Sequence, residues 1–221
     1  MSMKKICLYI FTTILIGLAA GCDGARVKNG KSSEKYASET RADANFREIK
    51  AGSAVILIIT VQEEFGVTVE GEEKLLKDVK TTVEGEKLVI STLGSITSGN
   101  KIRLKISMPE LKGIELWGAS EATVTKVKSD SIKIQTGSSS TVKIDGETKS
   151  LTANADGASK IDAENLKSEK AETRAAGASE ITVNALNDLD AKAYGASAVF
   201  YIGEPKNLKR DFAGAGEVRK K

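Results

Sequence analysis

Five carboxylates in the second half of the chain could do chemistry if a stacked fold brought them together: Asp145, Asp156, Asp162, Glu164 and Glu180. Clustered carboxylates perform general acid–base work, or hold calcium beside a basic residue. A carbohydrate-active β-helix enzyme, a polysaccharide lyase or hydrolase, would use such a set. Here the acids are scattered among lysines, and Arg174 is the only arginine between Arg103 and Arg210. A solvated face is the plainer reading. There is no histidine, which excludes Ser-His-Asp and Cys-His mechanisms and His-ligated zinc. The chain also lacks a phosphate-cradling GKS or GKT loop, a CxxC pair and the GGxGxD calcium repeat. No catalytic residue, cofactor or metal is therefore expected. Trp117 and Tyr194 offer a different chemistry. Each stands directly before a repeated glycine, and exposed rings on a flat sheet stack on sugars or on a partner protein. The competing reading is that they give local cover near the two ends of the fold.

These side chains need elements to position them, and the sequence announces those by repetition. Gly118-Ala119-Ser120, Gly137-Ser138-Ser139, Gly157-Ala158-Ser159, Gly177-Ala178-Ser179 and Gly195-Ala196-Ser197 are followed by Gly214-Ala215-Gly216, at spacings of 19, 20, 20, 18 and 19. Apolar and polar residues alternate around each mark, as in Leu189/Ala191/Ala193 with Lys192 between, which is a strand pattern. Around Gly137 the alternation slips by one, to Ser140, Val142 and Ile144, so that coil needs a bulge or a wider turn. The expectation is an all-β, β-helix-like solenoid of two sheets. Its coils hold about 20 residues, made of two strands of about six or seven residues. The turns lie at Gly118, Gly137, Gly157, Gly177, Gly195 and Gly214, where glycine takes φ > 0 without a Cβ penalty. A single coil cannot bury its apolar face, so stacking completes the core. The small in-facing residues and the low aromatic content, one Trp, four Tyr and five Phe, suit a narrow interior. Residues 46–108 are strand-like but lack the triplet, and read as the less regular half of the same solenoid, with residues 72–78 as a loop. Regular repeats begin at about 113, and the solenoid domain spans 45–221.

The N-terminus supplies the one covalent chemistry. Lys4 and Lys5 precede the apolar run Ile6–Ile16, and Ala19-Ala20-Gly21 precede Cys22. The run is too short to span a bilayer, which takes about 20 residues, and it reads as a signal peptide over 1–21. The Ala-Ala-Gly-Cys ending resembles a bacterial lipobox, so Cys22 is the expected lipid-attachment residue. The usual Leu three places before that cysteine is Ala19 here, with Leu18 one step earlier. The competing reading is an ordinary signal peptide in which Cys22 is incidental. Polar residues 22–44 then read as a flexible tether. The formal charge of +3 falls to near +1 when Lys4 and Lys5 are removed, which gives no electrostatic preference for nucleic acid. The basic end Arg219-Lys220-Lys221 reads as a solenoid cap or frayed terminus rather than a binding patch.

The order of these features resembles the auto-transporter adhesin head GIN domain family (DUF2807), found in many Bacteroidetes. The resemblance rests on Phe46-Arg47-Glu48-Ile49, Val67-Thr68-Val69-Glu70-Gly71, Glu86-Lys87-Leu88-Val89-Ile90 and Met108-Pro109-Glu110-Leu111. It continues through the Gly-Ala-Ser repeats to Ile202-Gly203-Glu204-Pro205. It implies a two-sheet superhelix and a role in cell adhesion, and transfers no catalytic residue. Together these readings point to a non-enzymatic outer-membrane lipoprotein of the cell envelope, held at the membrane by its lipid. Its surface would meet a glycan, a matrix or a cell-surface protein. A carbohydrate-active enzyme and a periplasm-facing scaffold are the alternatives.

Overall fold

A computed structural model describes residues 35–94 and 102–221. The signal segment 1–21 and Cys22 lie outside the described residues. Alternating sequence becomes strand almost throughout: β1 (Tyr36–Arg41), β2 (Glu48–Ala51), β3 (Val55–Val61), β4 (Gly66–Glu72), β5 (Val79–Glu84), β6 (Lys87–Thr92), β7 (Ile102–Met108) and β8 (Gly113–Leu116) form the first part. β9 (Glu121–Thr136), β10 (Thr141–Ala155), β11 (Lys160–Gly177), β12 (Glu180–Gly195), β13 (Ala198–Ile202), β14 (Asn207–Gly214) and β15 (Glu217–Lys220) complete it. No helix among the described residues is long and apolar enough to cross a membrane.

Strand pairing shows a β-solenoid with two faces. One face runs β1-β4-β7-β3, then the first parts of β9, β10, β11 and β12, then β13 and β15. The other runs β5-β6-β2-β8, then the second parts of β9 to β12, then β14. Successive coils pair in parallel, which is what a chain that always advances in one direction must do. The β1-β4, β4-β7 and β5-β6 pairs at the other end are antiparallel.

Within a coil, the expected pair of six- or seven-residue strands is a single strand of 15 to 18 residues. The chain turns the far corner by bulging instead of breaking its ladder. Registers shift between Ile144 and Gly146 and between Ala163 and Lys167, while Lys126 and Gly146 take positive φ. A bulge bends a strand while most of its hydrogen bonds persist.

Two further expectations are corrected. The 22–44 tether gives way at Tyr36, where β1 pairs with β4 from Tyr36↔Glu72 to Arg41↔Val67. An edge strand is held by backbone hydrogen bonds and needs little apolar surface, so composition hid it. Residues 72–78 are not all loop, since Glu73–Leu76 form one helical turn, α1. Leu76 is buried in the core, and the Arg41 guanidinium donates to its carbonyl at 3.2 Å.

The core changes character along the stack. The first part buries Phe46, Leu57, Ile59, Leu88, Leu104, Met108 and Leu111. The repeats bury Ala153, Ala155, Ala175, Ala191 and Ala193 on the second face, opposite Val142, Ile144, Ile161, Ile181 and Val183 on the first.

Candidate binding surfaces

The Gly-Ala-Ser triplet is explained by what its first and third residues do. One left-handed residue per coil forms a column: Ser53 (φ 74), Gly118 (76), Ser138 (59), Gly157 (73), Gly177 (75), Gly195 (80) and Gly214 (75). Gly137 was expected in this column, and the structure corrects that. Ser138 takes the left-handed position, and Gly137 is not left-handed. Each column member nearly touches the one before it. A Cβ on Gly177 would lie 2.8 Å from the Gly157 carbonyl oxygen.

Two residues on stands a buried serine: Ser120, Ser140, Ser159, Ser179 and Ser197. Ser179 Oγ faces the carbonyls of Ala155 (2.9 Å) and Ala176 (2.8 Å), one on the preceding coil and one on its own turn. Ser140 and Ser197 repeat the arrangement. Ser159 instead meets the Thr136 hydroxyl at 2.9 Å. The serine thus adds a side-chain donor at the turn, where the Leu116 carbonyl already accepts the Gly137 N–H at 2.9 Å. This role was missed in the sequence, although the fixed offset from glycine was its signal.

The residue before the left-handed position points outward, giving the column Trp117, Gly137, Asp156, Ala176, Tyr194, Ala213. Thr136, directly before Gly137, is buried because of the same one-residue shift. Trp117 and Tyr194 therefore share an edge, but they stand four coils apart, about 19 Å at the strand spacing. They do not make one stacking platform. The Trp117 indole lies over Gly137, where any Cβ would collide with it, and the ring remains 44% exposed. Tyr194 is half-buried. The Arg174 guanidinium sits 5.4 Å from its ring centre, and its hydroxyl donates to Asp211 Oδ2 at 2.7 Å. That hydrogen bond raises the tyrosine pKa above its usual 10.0.

Four of the five candidate acids have local partners. Asp145 accepts the Lys126 N–H at 2.9 Å, and Asp162 accepts the Glu164 N–H at 3.2 Å. Glu180 pairs with Lys160 at 2.6 Å, and Glu164 pairs with Lys221. Asp156 stands in the outward turn column. Among the described residues no three His, Cys, Asp or Glu are grouped to hold a metal ion.

A charge ladder lies on the second face of the first part. Lys87 contacts Glu115 at 2.5 Å and Glu48 at 3.2 Å, and Lys50 contacts Glu115 at 3.6 Å. The Lys87 hydrogen bond holds the Glu115 carboxyl below its usual value, and the same bond raises Lys87.

Of the open recesses, two lie beside the repeat coils. One, of about 450 Å³, lies on the first face near the last coils and is lined by Lys160, Asp162, Glu180, Thr182, Phe200 and Arg219. Arg219 stacks over the Phe200 ring at 4.8 Å. The other, of about 680 Å³, follows the bulged corner, with Lys128, Asp130, Glu147, Lys149, Lys167 and Leu186. Lys149 and Asp130 pair there at 2.7 Å, and that bond lowers the Asp130 pKa and raises that of Lys149.

The geometry has known counterparts. Residues 45–205 match a family described as "Putative auto-transporter adhesin, head GIN domain". Among solved structures, a "putative adhesin" from Bacteroides fragilis NCTC 9343 is 20% identical with a TM-score of 0.68, covering 86% of this chain and 98% of that one. A "putative adhesin" from Parabacteroides merdae ATCC 43184 is 16% identical with a TM-score of 0.57, over 86% and 97%. A "putative lipid binding protein" from Parabacteroides distasonis ATCC 8503 is 20% identical with a TM-score of 0.51, over 86% and 98%. At such identities the likeness shows the shared fold. No curated protein matches the chain.

Proposed function

We propose, for a chain that belongs to the head GIN domain family, that it works as a non-enzymatic adhesion module of the cell envelope, anchored through lipid on Cys22. The observation that carries this reading is the family match over most of the solenoid. The arrangement of the carboxylates agrees with it, since most are tied to a lysine or a backbone N–H of their own or an adjacent coil. Asp162 and Glu180 line one recess, but Glu180 is paired with Lys160 at 2.6 Å and Asp162 accepts the Glu164 N–H.

For contact with a glycan, matrix or cell-surface protein, the recess around Phe200 and Arg219 has better chemistry than the Trp117/Tyr194 pair. It combines a ring, a guanidinium and the Lys160–Glu180 pair on one face. The reading is tested by protease treatment of intact cells followed by binding of the purified chain to immobilised glycans and matrix proteins. Cleavage on intact cells and binding that falls on Phe200→Ala are the expected results. Protection on intact cells with cleavage only after envelope disruption would favour a periplasm-facing scaffold. Release of products from polysaccharide would overturn the non-enzymatic reading. Incorporation of labelled fatty acid that is lost in Cys22→Ser tests the anchor.

A further inference from the structure

The last described coil is open on one side. Leu208, Arg210 and Phe212 of β14 continue the buried column Leu189, Ala191, Ala193 of β12. Yet every residue of β14 is exposed, Phe212 at 56%. β14 pairs only with β12 and β15 only with β13 among the described residues. Both therefore present a free edge of N–H and C=O groups, flanked by core positions that none of the described residues covers. Such an edge pairs with another strand unless something blocks it.

We infer that this end docks onto the same end of a second copy, tail to tail about a two-fold axis, each copy adding its two edge strands antiparallel to the other's. The argument is self-complementarity. A two-fold axis perpendicular to a sheet keeps inward residues inward, so a residue must meet one of equal parity. For β14, an axis through Arg210 sets Leu208 against Phe212 inside and Lys209 against Asp211 outside, each twice. For β15, an axis through Val218 sets Val218 on Val218 inside and Glu217 against Arg219 outside, again twice. Shifting either strand to its neighbouring centre places Asp211 on Asp211 or Arg219 on Arg219. The two favoured registers, chosen independently, share one axis. Arg210 stands four residues before the turn residue Gly214 and Val218 four after it, which sets them opposite one another across the flattened coil. The two Arg210 side chains meeting on the axis are the one unfavourable contact. An isologous interface also closes on itself and leaves no free end for fibre growth. The closed opposite end, with its antiparallel strands and α1, offers no matching parallel coil.

The test is sedimentation of the purified full-length chain at about 100 μM, a concentration that fills an interface of micromolar affinity. A dimer is expected. Glu217→Arg and Arg219→Glu singly should each weaken it about tenfold or more, since each reversal acts at two symmetric pairs. The double variant should restore it, and Arg210→Leu should tighten it. With Cys7 and Cys22 replaced by serine, Val218→Cys should form a disulfide-linked dimer. Unchanged melting temperatures of the charge variants separate loss of docking from loss of fold. A monomer at this concentration overturns the inference. So does a dimer indifferent to the reversals, or one that the double variant fails to restore.

Discussion

The two parts of the solenoid are built on different terms. The part up to β8 fills its interior with large side chains, and the repeats set Ile and Val on the first face against an alanine-rich second face. Large side chains tolerate irregular coils, because Phe46, Leu57 and Met108 can occupy whatever gap the backbone leaves. Alanine cannot. A face lined with alanine requires the other face to approach closely and every coil to superimpose, and the column of left-handed residues with its serine staples enforces that. The first part has one such turn, at Ser53, beneath Gly118. The repeats depend on theirs at every coil.

Substitutions should separate these two strategies. The largest effect is expected at the turn column. Gly177→Val combines a strained left-handed β-branched residue with a Cβ 2.8 Å from the Gly157 carbonyl oxygen, a cost of about 3–5 kcal/mol. Thermal unfolding measures it, and an unchanged melt would remove the column from the account. Leu57→Ala, in the part with large side chains, should cost about 3 kcal/mol by leaving a cavity. Leu151→Ala or Ile161→Ala, at fully buried positions in the repeats, should cost a similar amount, so what distinguishes the repeats is their added sensitivity at the turn column.

Smaller effects sharpen the contrast. Ser179→Ala removes the one hydroxyl shared by two buried carbonyls and the acceptor of the Ala176 N–H and should cost about 1–2 kcal/mol. Gly137→Ala should destabilise by about 1–3 kcal/mol through the Trp117 indole. In a Trp117→Ala background most of that cost should vanish, which a double-mutant cycle reads directly. Thr173 is buried and its hydroxyl has no protein partner, so Thr173→Val should gain about 1 kcal/mol in denaturant unfolding.

The smallest effect is a pH dependence of the first part. Glu115 titrates below its usual 4.5 in the folded chain. Its contribution is present above that value and is lost as pH falls through the lower folded value. Lys87 is raised above 10.5, so its share is present below 10.5 and is lost as pH rises through the higher folded value. In Glu115→Gln, acid unfolding monitored between about pH 5 and 2 should lose part of its slope.

Much of the fold was legible because a solenoid repeats its own rule. The glycine spacing gave the coil length, and alternation gave the faces. The exceptions were local. The left-handed residue of the second regular coil is Ser138 and not Gly137, because a spacing of glycines cannot show which member of a Gly-Ser pair carries the turn. The slip to Ser140, Val142 and Ile144 was the visible trace of it. β1 escaped because edge pairing is paid for by backbone groups that composition does not register. Trp117 and Tyr194 share an edge in the structure, with three coils between the two rings, as the repeat spacing implied by setting them near the two ends of the fold.

By itself the sequence determined what short-range physics encodes: strand periodicity, positions tolerant of positive φ, residues small enough for a narrow core, and the absence of a histidine-based mechanism. Tertiary structure decided whatever depends on which coil lies beside which. It set Ser179 against the Ala155 carbonyl, the Trp117 indole over Gly137, and Leu208, Arg210 and Phe212 at an end with no further coil among the described residues. The reason is that each coil is stabilised by its neighbour, so the meaning of a residue lies about twenty positions away rather than beside it.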